Sequence, residues 1–281
     1  MATEPEYWNR IGAEWRTRRP QRLWREFADG HQLGLLSRWL GLPLAASCDR
    51  SGGTTRPKLL KTDLFDEIAG RGLVQPLLAA GFSVTAIDLS PLIVTEASAR
   101  HPGLRAVVAD VRRLPFPEAS FDTIFSGSTL DHFENSAEIQ ASLVELRRVI
   151  RSGGHLILTL DNPANPLIRL RNGPLLAALR RLGIVPYQVG ATLGPEPLVA
   201  AVEAAGFDVV EATAVMHCPR VAAVAIAPLF QRLPQACRTG FMRCLAACEW
   251  LESLPTRWHT GHYIAIHAVA RDPAHGGRSG T

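Results

Sequence analysis

Two aspartates close apolar runs, and each could hold a polar ligand. Asp88 ends Val84-Thr-Ala-Ile-Asp88 and is followed by Leu89-Ser90-Pro91, which opens a helical stretch. In an open α/β sheet, ligands bind in the crevice outside the carboxyl ends of the strands, where an acid can accept hydrogen bonds from both ribose hydroxyls of a nucleotide. A plain helix N-cap or turn aspartate fits the same local sequence. Asp110 repeats the pattern in Ala106-Val-Val-Ala-Asp110-Val111, ahead of Leu114-Pro-Phe116. At that strand end a carboxylate would meet an adenine edge and accept from its amino group. Asp122, in Ser120-Phe-Asp122, is expected to hold the entry to the next strand.

Ser128-Thr-Leu-Asp131-His132-Phe133 follows the fourth apolar run. A histidine there can serve as general base, and Asp131 could orient it. A helix-capping segment with an incidental histidine fits the same residues. No HxxxH or HxH pair stands near a carboxylate, so no metal site is expected. His217, beside Cys218, is expected to pack. The cysteines, Cys48, Cys218, Cys237, Cys244 and Cys248, are odd in number and form no CxxC pair, which points to buried free thiols.

The elements that must position these residues alternate along the chain. Short apolar runs at 59–65, 83–88, 105–108, 123–126 and 155–160 read as strands. Helical stretches at 72–80, 91–100 and 137–150 lie between them, and Arg151-Ser-Gly-Gly154 reads as a turn. Such βαβ units imply a parallel sheet with helices on both faces. Residues 200–205 lead through Gly206 into a strand at 207–214, and the last strand is expected at 263–269. The chain then divides into an N-terminal helical cap (1–44), a flexible linker (45–57), a core (58–271) with helical insertions at 162–194 and 222–254, and a tail (272–281).

With 47% apolar and 20% charged residues in 281, the composition excludes a disordered chain. The net charge of +4 comes largely from arginines spread along the sequence. It is weak support for nucleic-acid binding, and an anionic substrate or peripheral contact with a membrane surface explains it equally well. The N-terminus shows no basic region followed by an apolar run, and the longest apolar run, 221–230, is too short to span a bilayer and holds Pro228. A cytoplasmic, reducing location is expected.

In their order and spacing, Val84 to Ser90, Ala109-Asp110-Val111, Leu114-Pro-Phe116, Phe121-Asp-Thr-Ile-Phe125, Glu145 to Gly154 and Leu156 to Leu160 resemble the class I S-adenosylmethionine-dependent methyltransferases. The likeness is nearest to their small-molecule and quinone-methylating branch. It covers residues 58–162, with a weaker echo in Ala204-Ala-Gly-Phe207. It implies a Rossmann-like, doubly wound α/β fold of seven strands in the order 3-2-1-4-5-7-6, the last antiparallel. It also implies S-adenosyl-L-methionine as cofactor, held by Asp63, Asp66, Gly70, Asp88, Leu89, Asp110, Val111 and Ser126, with His132 and Asp131 facing the methyl. Tyr7, Trp8 and Trp15 resemble the segment that closes over the cofactor.

The first motif departs from the family. A G-x-G-x-G loop lets the backbone approach a cofactor closely. Counted back from Gly81, its last glycine falls on Gly70 and the two earlier positions on Asp66 and Ile68. An acid there could pair with the methionine ammonium or the sulfonium, or the loop could be broken. Methyl transfer to oxygen or carbon of a small-molecule or lipid-like acceptor is the expected function. The arginines and leucines of 162–194 would close over an acceptor that is apolar with an anionic group. Aminocarboxypropyl transfer, a cyclisation, or a non-catalytic binding protein of the same fold are the alternatives.

Overall fold

A computed structural model describes residues 4–18, 22–41, 56–173 and 190–272. Two helices, α1 (Glu4–Arg18) and α2 (Arg22–Leu40), precede the sheet. Then come β1 (Lys58–Lys61), α3 (Phe65–Ala69), α4 (Val74–Ala79), β2 (Ser83–Asp88), α5 (Pro91–Arg100), β3 (Arg105–Val108) and β4 (Phe121–Gly127). A 3₁₀ turn at Leu130–His132 leads to α6 (Ser136–Val149), β5 (Ile150–Asp161) and α7 (Pro166–Asn172). The described chain ends with α8 (Pro195–Ala204), β6 (Phe207–Val215), α9 (Arg220–Gln231), α10 (Gln235–Ala247), a 3₁₀ turn Cys248–Ser253, α11 (Arg257–Thr260) and β7 (Tyr263–Ala270).

The sheet has seven strands in the order β3-β2-β1-β4-β5-β7-β6, with β7 antiparallel to both neighbours and the remaining pairs parallel. Helix starts follow their capping residues. Ser90 accepts from the Ile93 N–H ahead of Pro91, Asn135 from Glu138, and Asn165 from Leu167 ahead of Pro166. One sheet face packs α6 and α8 through Ile139, Leu143, Leu146, Leu198 and Val202. On the other, Leu35, Leu36 and Trp39 of α2 join Leu73, Val74 and Leu77. The C-terminal part of α2 is therefore a core helix, and Trp24, Arg25, Ala28 and Gln32 of the same helix border the site.

Three local expectations are corrected. The first strand stops at Lys61 rather than running to residue 65, because Asp63 to Asp66 turn into α3. The turn expected at Arg151 to Gly154 lies inside β5 as a bulge: the register passes from Phe121↔Ile150 to Thr123↔His155, with Gly153 at φ +72°. Of the described cysteines, all free, Cys218 alone is buried, since Cys237 and Cys244 face solvent on α10. Asp122 does hold its strand, accepting from the Lys58 N–H at 2.6 Å. Cys48, Leu175, Leu176, Leu179, Leu182, Arg180 and Arg181 lie outside the described residues.

Candidate functional site

The carboxyl ends of β1 to β5 open into one cleft of ≈ 1350 Å³ including its mouth, walled on the open side by α1 and α2. It is the crevice expected at the switch point of a doubly wound sheet. Asp63, Asp66, Asp88, Leu89, Asp110, Val111, Asp131 and His132 all line it. Ser126 and Gly70 stand behind the wall. Ser126 is fully buried and its Oγ accepts from the Thr62 hydroxyl at 2.9 Å, so it acts on the cleft through Thr62. Gly70 is tight against α2 instead: a Cβ there would stand 2.6 Å from Asp29 Oδ2.

The loop after β1 is rebuilt with buried charges in place of glycines. Lys61 is fully buried, and its Nζ donates to the Asp63 carbonyl at 2.9 Å and the Asp63 carboxylate at 3.0 Å, with Glu67 Oε1 3.7 Å away. Burial favours loss of the lysine proton, but the carboxylates of Asp63, Glu67 and Asp66 outweigh it and hold the pKa above the usual lysine range. Glu67 accepts the Leu73 and Val74 N–H groups at the start of α4. Asp29 of α2 accepts those of Arg71 and Gly72. Burial, then the Asp66 charge, pushes Asp29 up to about 7. The close approach that does require glycine is at Gly72, with φ +67° and no room for a Cβ beside Glu67. Asp66, read from sequence as a partner for the methionine ammonium or the sulfonium, lines the cleft and pairs with Arg25 of α2 at 2.6 Å. Arg25 in turn lies over the rings of Trp15 and Phe65.

Asp88 fits a ribose. Its Oδ2 accepts the Leu64 N–H at 3.1 Å and its Oδ1 the Ser90 N–H at 2.9 Å. A carboxylate has about four acceptor positions, so two remain for hydroxyls entering from the cleft. Burial pushes its carboxyl up to about 7, against the two backbone hydrogen bonds. Asp110 is gripped by Arg112, whose Nε and Nη2 reach both oxygens. The same guanidinium binds Glu138 and Glu4, fastening the first turn of α1 across the end of β3. Asn9 adds a second tie, accepting from the Ser90 hydroxyl and the Leu92 N–H.

Trp8 of α1 lines the cleft and meets His132 edge-on at 4.9 Å between ring centroids. The Asp131 carboxylate is 3.9 Å from His132 Nε2, too far for a hydrogen bond. Its Oδ2 accepts the Ser128 hydroxyl and the Asp161 N–H, so Asp131 braces the loop after β4. Its Oδ1 is buried without a hydrogen-bond partner among the described residues. Burial, then the Asp161 charge, raises the Asp131 pKa.

Of the far end of the cleft, only the arginines of 162–194, Arg171 among them, were expected from sequence. Arg171 pairs with Asp161, Asp161 lies 3.6 Å from His262 Nε2, and Arg220 Nη1 donates to His262 Nε2 at 2.7 Å and to the Tyr263 hydroxyl at 2.7 Å. Burial, with Arg220 and Arg171 nearby, drives the His262 pKa well below the usual range, so its ring is neutral. Arg220 also lies over the Trp24 ring. These residues come from four separated segments, and no local motif announces them. His217 is structural, bonded to Thr260 Oγ1 and the Ala214 carbonyl.

Residues 68–158 match the family described as Methyltransferase domain. Over 96 residues the chain is 36% identical to the demethylmenaquinone methyltransferase of Beutenbergia cavernae, covering 34% of this chain and 39% of that protein. Over 106 residues it is 34% identical to the malonyl-[acyl-carrier protein] O-methyltransferase of Herminiimonas arsenicoxydans, covering 37% and 38%. The demethylmenaquinone methyltransferase of Thermus thermophilus is 30% identical over 149 residues, 47% of this chain and 66% of the other. The chain thus spans less than two thirds of the length of each of these relatives. In fold it resembles geranyl diphosphate C-methyltransferase from Streptomyces coelicolor, with a TM-score of 0.50 at 12% identity over 85% of this chain and 78% of that one.

Proposed function

We propose that the chain is a class I S-adenosylmethionine-dependent methyltransferase and that it methylates oxygen or carbon of a small-molecule or lipid-like acceptor. The observation that carries this reading is Asp88, facing the cleft from the end of β2 with two acceptor positions left after Leu64 and Ser90 are served. When bound, S-adenosylmethionine supplies a methyl group on a positively charged sulfur, already activated for transfer. Asp88 accepts the ribose hydroxyls, Leu89 and Val111 offer apolar walls to the adenine, and Asp110 accepts from its amino group. Asp63 and Asp66, paired with Lys61 and Arg25 respectively, are the acids beside the methionine ammonium. Trp8, anchored through α1, excludes water. His132 faces the acceptor and takes its proton. The relatives named for demethylmenaquinone and for malonyl-[acyl-carrier protein] support a small-molecule or lipid-like acceptor.

The direct test incubates the protein with S-adenosylmethionine and a panel of polyprenyl quinones, acyl thioesters and prenyl diphosphates, with products read by mass spectrometry. S-adenosylhomocysteine with a methylated acceptor supports the reading; methylthioadenosine, or no turnover in any arm, counts against it. Asp88→Ala should weaken cofactor binding about ten- to a hundredfold, since hydrogen bonds to a charged group contribute roughly 1.5–3 kcal/mol. Asp88 must also lose its proton to accept both hydroxyls. With its carboxyl at about 7, affinity should rise about tenfold from pH 6 to pH 8, and Asp88→Asn should flatten that slope. The stability linkage has the opposite sense. The folded state keeps a proton that the unfolded chain releases at 3.8, so this group's contribution to stability falls as pH rises towards about 7. Unchanged affinity in a folded Asp88→Ala protein would remove the ribose assignment.

A further inference from the structure

Two stretches of this chain carry cations and no acids. Residues 162–194 contain Arg169, Arg171, Arg180 and Arg181, and residues 212–248 contain Arg220, Arg232, Arg238 and Arg243. Together they hold eight of the chain's 30 Lys and Arg and none of its 26 Asp and Glu, so the remainder is acidic on balance. Ordinary solvated surface intersperses both signs.

The described parts of both stretches meet beside the cleft. Arg171 on α7 and Arg220 on α9 line its wall, and the contacts Arg171–Asp161, Asp161–His262 and His262–Arg220 join the end of α7 to the start of α9. Immediately next to these arginines, Leu170 is 47% and Val221 64% exposed. Leu167 at 66% and Leu229 at 62% extend the apolar surface along both helices. Between Arg220 and Arg232, α9 has no charged residue. It buries Ala223 and Ala227 against Leu23, Trp24 and Phe27 of α2, and turns Val221, Ile226 and Leu229 to solvent. A helix that is apolar on its outer face as well as its core face requires a second apolar phase. No described helix is long and apolar enough to cross a membrane, so the phase that fits is the headgroup–acyl boundary, where a helix lies in the plane of the surface.

We propose that the α7–α9 rim docks this protein on an anionic lipid bilayer. The exposed Arg169 and Arg232 of this rim, with Arg243 on the adjoining α10, meet the headgroups, while Leu167, Leu170, Val221 and Leu229 enter the acyl boundary. Docked this way, the cleft opens at the bilayer surface, and a lipid-like acceptor reaches it without crossing water; this last step rests on the acceptor reading above. Nucleic acid would match the arginines but leave the exposed leucines and valine in water.

Flotation with vesicles of phosphatidylcholine, alone or mixed equally with phosphatidylglycerol, tests the surface without any acceptor. The wild-type protein should float with the mixed vesicles, and salt should weaken the association. Arg232→Gln with Arg243→Gln should reduce partitioning by about fivefold per arginine. Leu167→Ser with Leu229→Ser should reduce it at least about tenfold. None of these residues touches the cofactor wall, so all variants should bind S-adenosylmethionine as the wild type does by calorimetry, which separates this result from the fate of the proposed reaction. Folded wild-type protein that ignores the mixed vesicles at low salt overturns the proposal. So does unchanged partitioning of the leucine variant, or a preference for duplex DNA over vesicles.

Discussion

Replacing Lys61 by methionine should lower the free energy of unfolding by about 3–5 kcal/mol, the range for breaking a buried ion pair from one side. Lys61 has no solvent exposure, and Asp63, Asp66 and Glu67 all act on its charge. Methionine matches its length and leaves no large hole, so the loss isolates the charge rather than the packing. What remains is a fully buried Glu67 facing the α4 N–H groups and an Asp63 without its ammonium. Adding Glu67→Gln to Lys61→Met should recover part of the loss, because it removes the stranded charge and keeps an acceptor for Leu73. Denaturant titration measures both. A Lys61→Met protein as stable as wild type would mean the lysine is a passenger and the loop is held by its backbone alone. A less stable protein with intact cofactor affinity would confine the network to folding. Loss of both places the network under the cofactor, as its bond to the Asp63 carbonyl implies.

That network also shows where the sequence is legible. Strands and helices were readable because their apolar periodicity is local: β2, β3 and α5 fall on the expected residues, and β7 within one residue. The place of Asp88 at the cleft was readable because a strand end followed by Ser-Pro puts it beside a helix start. The loop after β1 was not readable, because its order comes from partners distant in the chain. Asp29 lies 42 residues before the Arg71 N–H that it accepts, and Arg25 lies 41 residues before Asp66. Counting glycines back from Gly81 selected Gly70, which crowds α2, and passed over Gly72, where φ and the Glu67 carboxylate forbid a side chain. The pairing of Asp66 with Arg25 was not readable, because Arg25 could not be placed opposite it from pattern alone. The arginines of the far cleft share this character: Arg171 and Arg220 become neighbours only through Asp161 and His262.

His132→Ala should lower turnover by about a hundredfold or more if the ring removes the acceptor's proton, the usual range for a positioned general base. The ring lines the cleft with Trp8 edge-on at 4.9 Å, on the loop that Asp131 braces between Ser128 and Asp161. Asp131 stands 3.9 Å from Nε2, so it supplies charge without a hydrogen bond to fix the ring. Truncating Asp131 would therefore disturb the loop as well as the base, which makes His132 the cleaner variant. The expected pattern is a lower kcat with S-adenosylmethionine affinity nearly unchanged, since the proposed ribose and ammonium contacts lie on Asp88 and Asp63. The deficit should shrink at high pH, where an ionisable acceptor loses its proton unaided. A carbon acceptor needs the base after the methyl has arrived, so for it the loss should appear as slow release of product. Wild-type turnover in His132→Ala at every pH would leave orientation as the whole mechanism. That is chemically sufficient, because a sulfonium held in line with its acceptor needs only correct placement. In that outcome Trp8, which sets the wall on the acceptor side, becomes the residue to truncate next.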